Sequence, residues 1–181
     1  MKDFTDYIIP LSIGVVVVAA IFSLTSCVSI PKGAQAVKPF DKQKYLGQWY
    51  EIARLDFKFE KGLDHVTANY SLVDGGKIKV DNTGYKVKKQ KWVESIGKAK
   101  FVGSETEGRL KVSFFGPFYA GYNVIAIDAG YRYALVAGNN LSYLWLLSRE
   151  KIMPEDIKSS YLLKAQSLGY DIKKLVWTKQ E

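Results

Sequence analysis

The sequence predicts an all-β domain: eight short antiparallel strands, followed by one α-helix packed on the outside of the sheet. Three observations carry this. Aromatic residues make up 14% of the 181-residue chain, with 12 Tyr, 9 Phe and 4 Trp, and these types favour pleated, half-buried surfaces. From residue 48 onward, apolar and polar residues alternate in short runs, which is the period of a strand. Turn clusters separate the runs. Asp74-Gly75-Gly76, Asp128-Ala129-Gly130 and Gly138-Asn139-Asn140 all have the chemistry of tight hairpins. Evenly spaced strands joined this way build either a sandwich or an up-and-down barrel.

The elements follow in order. Asp41 can cap a short helical turn that ends at Gly47, its carboxylate accepting from free N–H groups of the first turn. Strands are expected over 48–55, 66–72, 77–85, 91–101, 109–115, 122–127, 131–137 and 141–148. A helix then opens at Pro154, whose missing N–H costs nothing in a first turn. Glu155 and Asp156 suit its positive end, and Gly169 stops it. Ile157, Tyr161, Ala165 and Leu168 line one face, the face expected against the sheet. A short strand over 174–178 closes the chain.

The first residues read as an address. Lys2 supplies a positive start, residues 8–24 are largely apolar, and the run ends in Leu24-Thr25-Ser26-Cys27. This is the layout of a secretory signal. The last four residues resemble the bacterial lipobox, in which a peptidase cuts before the cysteine and the thiol carries diacylglycerol. The rival is an uncleaved spanning helix, but the apolar run contains Pro10 and falls short of the roughly 20 residues a span needs. The expected organisation is a lipoprotein signal peptide over 1–26, an acylated tether over 27–39 and a barrel domain over 40–181. Val28 rather than Asp after the cysteine points to the outer membrane, facing the periplasm. The small residues, prolines and lysines of the tether suit a flexible linker.

Composition removes several classes of function. With one Cys and one His, an internal disulfide and a Cys/His zinc site are excluded. His65 has no visible Ser or Cys partner and falls in or near a loop. Glu51 and Glu94 could face inward but form no recognisable pair. No enzyme activity, metal or cofactor is expected. The net charge of +8 fits an anionic membrane or ligand, or simply a solvated basic exterior. Cations interleaved with aromatics also occur in nucleic-acid binders, but an exported, anchored protein is not expected to meet nucleic acid.

If the strands close into a barrel, alternate connections gather at opposite ends. One end receives mostly tight turns, and the other receives the two longest loops, 56–65 and 116–121. One end is therefore closed and the other open, as a ligand cup requires. In the last strand Tyr143, Trp145 and Leu147 share a face with Arg149, and earlier Val80 and Asn82 share a face with Ile78.

Gly47-Gln48-Trp49-Tyr50-Glu51-Ile52-Ala53-Arg54 resembles the Gly-x-Trp signature of the lipocalin family. Two further segments resemble that family in the right order: Asp128-Ala129-Gly130-Tyr131, and Leu144-Trp145-Leu146-Leu147-Ser148-Arg149. The stretch from Val112 to Tyr119 and the run from Tyr122 to Asp128 are similar to bacterial outer-membrane members. The resemblance implies an eight-stranded up-and-down antiparallel barrel that holds fatty acids or lysophospholipids. It points to Tyr70, Asn82 and Trp145 as cavity contacts, and Val80 and Phe114 complete the candidate ligand set. Gly47, Trp49, Asp128, Tyr131 and Arg149 all fall at the closed end and are read as a structural floor. An envelope protein with a filled barrel, or a carrier of another hydrophobic molecule such as haem, is the alternative. Bacterial relatives leave a homodimer open.

Overall fold

The computed structural model describes residues 28–180, so Cys27 and the expected signal segment lie outside the described residues. A short helix α1 (Lys42–Tyr45) leads into β1 (Gly47–Leu55), β2 (Leu63–Val73), β3 (Lys77–Lys86) and β4 (Lys91–Phe101). Next come β5 (Arg109–Ser113), β6 (Ala120–Ile127), β7 (Tyr133–Ala137), β8 (Leu144–Ser148), helix α2 (Glu155–Ser167) and β9 (Leu175–Trp177). Each strand from β2 to β8 pairs with its neighbours in sequence, β8 pairs with β1, and β1 pairs with β2. The eight strands thereby close on themselves, which leaves no long unpaired edge.

The closure is incomplete along one seam. β1 pairs with β2 only from Gly47 to Tyr50, below a register shift between Glu51 and Ala53 on its other edge. Above that point β9 takes the place of β2, opposite Ala53, Arg54 and Leu55. The chain then continues into the gap, where the Gln180 amide donates to the carbonyls of Glu51 and Val66 at 2.6 and 2.9 Å. Buried carbonyls left without a donor are costly, so the C-terminus completes the seam that β2 leaves open.

Alternation along the strands divides the apolar residues between two cores. The inner one fills the barrel and includes Trp49, Tyr70, Ile78, Val80, Leu110, Val136 and Leu147. The outer one lies between β1, β6 to β8 and α2, with Tyr161 and Ala165 fully covered and Ile157 and Leu168 packed at its margin. Those are the four positions the helical period selects. Asp41 caps α1 by accepting from the N–H groups of Gln43 and Lys44, and Gly169 ends α2 at φ +92°, a left-handed conformation that glycine adopts without a Cβ penalty.

The structure corrects several boundaries. β7 starts at Tyr133 rather than at 131, because Asp128 draws the N–H groups of Gly130, Arg132 and Tyr133 onto its carboxylate. The turn also holds Tyr131 at φ +54°, outside the strand region. β8 starts at Leu144, since Asn140 binds the N–H of Ser142 and keeps that segment in a turn. His65 belongs to β2, where its ring meets Tyr85 and Trp92.

The largest difference concerns the segment before the barrel, where small residues suggest a flexible linker. Residues 28–39 are instead strapped along the outer wall. The Val37 N–H donates to Val124 O, Gly108 N–H donates to Val37 O, and Phe40 N–H donates to Thr106 O. Ile30 and Ala34 pack on the outer core and Val37 on the inner. The strap lies so close to β6 that a Cβ on Gly121 would come within 2.8 Å of Ser29 O. Low hydrophobicity concealed this, because the strap is held by backbone hydrogen bonds that any sequence can make.

Candidate functional site

The barrel has a built floor. Arg149 leaves the end of β8 and places its guanidinium 3.9 Å from the centroid of the Trp49 ring. Its nitrogens donate to the carbonyls of Gln48, Lys44, Leu46 and Tyr45, and so tie α1 and the start of β1 to the end of β8. Trp49 donates its indole N–H to Tyr45 O at 2.9 Å. Tyr131 accepts from the Asp41 N–H through its hydroxyl. Gly47 has φ +92° and sits where a Cβ would approach Arg149 Nη1 to 3.4 Å. All five signature residues therefore meet at the closed end.

A layer of three tyrosines lies directly above. The Tyr122 hydroxyl is 2.6 Å from that of Tyr45 and 2.8 Å from that of Tyr70, and burial pushes all three phenols up from their ordinary range. Two hydrogen bonds among three hydroxyls leave one O–H hydrogen over, on Tyr45 or Tyr122. The space enclosed beside this layer, lined by Phe40, Ile78, Ala99 and Leu110 among others, is about 10 Å³. That is room for one water at most. Tyr70, an expected cavity contact, thus belongs to the cup's polar base.

Higher up, strand register puts Ala68 beside Asn82 and Tyr70 beside Val80, and Val80, Phe114 and Trp145 all join the inner core. Asn82 Oδ1 is buried with no hydrogen-bond partner. The Phe114 ring lies over Gly97, where a Cβ would clash at 2.8 Å, so the small residue on β4 makes room for the large one arriving from β5. Val80 stands level with Tyr70, Asn82 follows two residues higher on the same face, and Phe114 and Trp145 pack against the same inner core.

A charged cluster beside Trp145 was not foreseen. Arg54, 1% exposed, donates to Glu51 Oε1 at 2.6 Å, to Asp56 Oδ1 at 3.2 Å and to the Glu60 carbonyl at 2.8 Å. Thr178, from the C-terminal segment, also donates to Glu51 Oε1. Glu60 Oε2 accepts the Trp145 indole N–H at 3.0 Å and lies 3.9 Å from Arg54 Nε. Burial, reinforced by Glu51, pushes the Glu60 carboxyl up to about 8. Burial likewise raises Glu51, although Arg54 opposes it. One guanidinium serves more than one buried carboxyl, so Glu60 holds its proton at neutral pH. The sequence lacked this signal because Glu51 and Arg54 have opposite alternation parity, and only the register shift in β1 turns both inward. Glu94, the other carboxylate expected there, is exposed.

The loop carrying Glu60 crosses the open end. Phe57 stands edge-on to Trp145 and Tyr143, with centroids 5.8 and 5.4 Å apart. Phe59 reaches Phe115 of the β5–β6 loop at 5.9 Å. These two connections lie on opposite sides of an eight-stranded barrel, so their rings bridge the mouth. Among the described residues no group of three or more His, Cys, Asp or Glu side chains could hold a metal.

Residues 40–180 match the model of a lipocalin-like domain. The chain is 50% identical to outer membrane lipoprotein Blc of Citrobacter freundii, over 92% of this chain and 95% of that protein. It is 49% identical to the protein of that name from Escherichia coli K12, over 89% and 92%. It is 36% identical to apolipoprotein D of Macaca fascicularis, over 88% and 85%. Among solved structures, insecticyanin from the tobacco hornworm superposes with a TM-score of 0.67 at 20% identity, over 83% of this chain and 86% of that one. With its Gly-x-Trp strand, its arginine-capped floor and a closed eight-strand barrel, the chain belongs to the lipocalin family.

Proposed function

We infer that this protein binds single-chain lipids, fatty acids or lysophospholipids, in the bacterial envelope, and is held at the outer membrane by an acylated Cys27. The observation that carries the reading is the lining of the barrel interior from the tyrosine layer to the aromatic bridge. It has apolar walls at Val80, Phe114 and Trp145 and a buried, unpartnered acceptor at Asn82. Apolar walls with a few convergent polar groups are what a lipid site needs. Asn82 Nδ2 and the spare tyrosine O–H can serve a carboxylate or phosphate, while the chain gains from leaving water at roughly 0.8 kcal/mol per buried CH₂. The names of the bacterial relatives, outer membrane lipoproteins, support the location and the anchor, with residues 1–26 removed as a signal peptide. No catalytic role is proposed.

The enclosed volume of about 10 Å³ in the lower barrel favours a second reading, an envelope protein whose barrel is filled by its own side chains. Native mass spectrometry after gentle extraction separates the two. Co-purifying lipid, or a fluorescent fatty acid displaced by unlabelled lipid, is the expected result. Absence of both sinks the lipid reading in favour of the filled barrel, and visible absorbance would indicate a pigment instead. For the anchor, Cys27→Ser should move the protein to the soluble fraction with lipid binding intact. Persistent membrane retention would favour an uncleaved N-terminal helix.

A further inference from the structure

The strap decides where the anchor meets the barrel. From Phe40 at the floor it climbs the wall between α2 and β6, and it ends in the mouth half. There the Ser29 hydroxyl donates to Asn139 O in the β7–β8 connection, at 2.8 Å. Asn123 Nδ2 donates to Ser29 O, and Arg109 Nη2 donates to Val28 O. Cys27 is two residues before Ser29, at most about 7 Å away along an extended chain. Ser29 O lies against Gly121, three residues from Phe118 in the β5–β6 loop at the rim. The floor lies farther off by most of β6, which runs six residues on from Gly121 to Ile127 at roughly 3.3 Å each. A strap pinned at both ends also stops the barrel from turning over on its anchor.

The surface beside that anchor point has the chemistry of a bilayer contact. Phe59, Phe115 and Phe118 project at the rim with 68%, 66% and 74% of their surfaces exposed, a cost in water for any protein that stays there. Below them Lys100 of β4 stands directly opposite Lys111 of β5, and both ammonium groups lie over the Tyr119 ring, at 5.1 and 5.3 Å. Like charges facing each other across strands destabilise a sheet. Among the described residues no carboxylate comes within ion-pair distance of either lysine, whereas at the floor Lys42 pairs with Glu105 and Arg132 with Glu150. Anionic phosphates would supply the missing partners.

We propose that the barrel sits mouth-down on the membrane that holds its anchor, with Phe59, Phe115 and Phe118 inserted among acyl chains and Lys100 and Lys111 on anionic headgroups. The proposal rests on the acylation of Cys27 inferred above. It makes the bilayer, rather than the aqueous space, the face across which a ligand enters.

The test uses acylated protein in vesicles of phosphatidylethanolamine and phosphatidylglycerol. Because acylation consumes the Cys27 thiol, Phe118→Cys introduces a single site for an environment-sensitive fluorophore. Asp74→Cys, in the β2–β3 turn at the floor, gives the matching control. The expected result is a blue-shifted emission at position 118 that lipid-borne nitroxides quench, and an aqueous, unquenched emission at position 74. Lys100→Glu with Lys111→Glu should reduce the quenching at 118. An aqueous label at 118 on acylated protein, or equal quenching at both positions, overturns the orientation while leaving the anchor standing. Intact mass reads acylation separately, and an unacylated chain overturns the anchor together with the orientation that depends on it.

Discussion

Arg149 lies over Trp49, its guanidinium carbon 3.9 Å from the ring centroid, and from there it reaches backbone carbonyls on α1 and β1. A cation over an indole contributes roughly 0.5–2 kcal/mol, and each charge-assisted bond adds about 1.5–3. The arginine also substitutes for the disulfides that a chain with one cysteine cannot form. Arg149→Ala should therefore lower the melting temperature by roughly 5–15 °C, taking about 2–4 °C per kcal/mol for a domain of this size. Arg149→Lys should recover little, since an ammonium cannot fan out to the same carbonyls. Differential scanning calorimetry checks both, and an unchanged Tm would remove Arg149 from the floor's stability.

Gly47 gives a second handle on the same region. Gly47→Ala places a Cβ on a residue at φ +92°, beside Arg149 Nη1, and should cost about 1–3 kcal/mol in urea unfolding. Lipid affinity should hold, because the change lies below the tyrosine layer.

The proton on Glu60 sets a pH dependence. Burial pushes its carboxyl up to about 8 in the folded protein, from an ordinary 4.5. The folded state therefore holds the proton more tightly than the unfolded chain does. The stabilisation is complete below about 4.5 and is lost as pH rises towards and through about 8. The Trp145 indole N–H donates to Glu60 Oε2 and favours the ionised carboxylate, so this bond should tighten as the proton leaves near pH 8, visible as a shift of tryptophan emission. Glu60→Gln keeps an acceptor for the indole without a charge to bury, and should flatten both profiles. A pH response identical to the parent's would place the titration on another group.

Asn82→Leu tests the wall. It removes the amide whose Nδ2 is proposed to donate to the head group, together with the buried, unpartnered Oδ1, and should leave the melting temperature within about 3 °C, as a near-volume-conserving change tolerates. Affinity for a fatty-acid probe should fall about ten-fold, equivalent to about 1.4 kcal/mol. An unaltered affinity would shift headgroup recognition to the tyrosine O–H.

The seam offers a fifth outcome. Gln180→Ala leaves the carbonyls of Glu51 and Val66 without their amide donor, at roughly 1–3 kcal/mol for the buried groups. Hydrogen exchange should quicken in β9 and the upper half of β2 before it does elsewhere in the sheet.

Alternation was enough to name eight strands, the outer helix with its apolar face at Tyr161 and Ala165, and the closed end at Trp49 and Arg149. Each of these rests on neighbours in sequence or on a local period that survives any tertiary arrangement. Alternation also put Val80 and Asn82 on one face, since a strand's period of two fixes which side chains share a face, whereas the family resemblance was needed to point to Asn82 and Trp145 as ligand contacts. Tyr45 and Tyr122 escaped notice because nothing in the sequence relates an α1 residue to one on β6; only the closed barrel brings their hydroxyls to 2.6 Å.

What the sequence by itself determined about this protein is its period, its turns and its family signature. Tertiary structure alone decided three things: the tyrosine base, the buried cluster around Arg54, and the strap that residues 28–39 lay along the wall. The physical reason is separation along the chain. Thr178 reaches Glu51 across 127 positions and Ser29 reaches Asn139 across 110, and contacts of that span leave no periodic trace in the sequence that makes them.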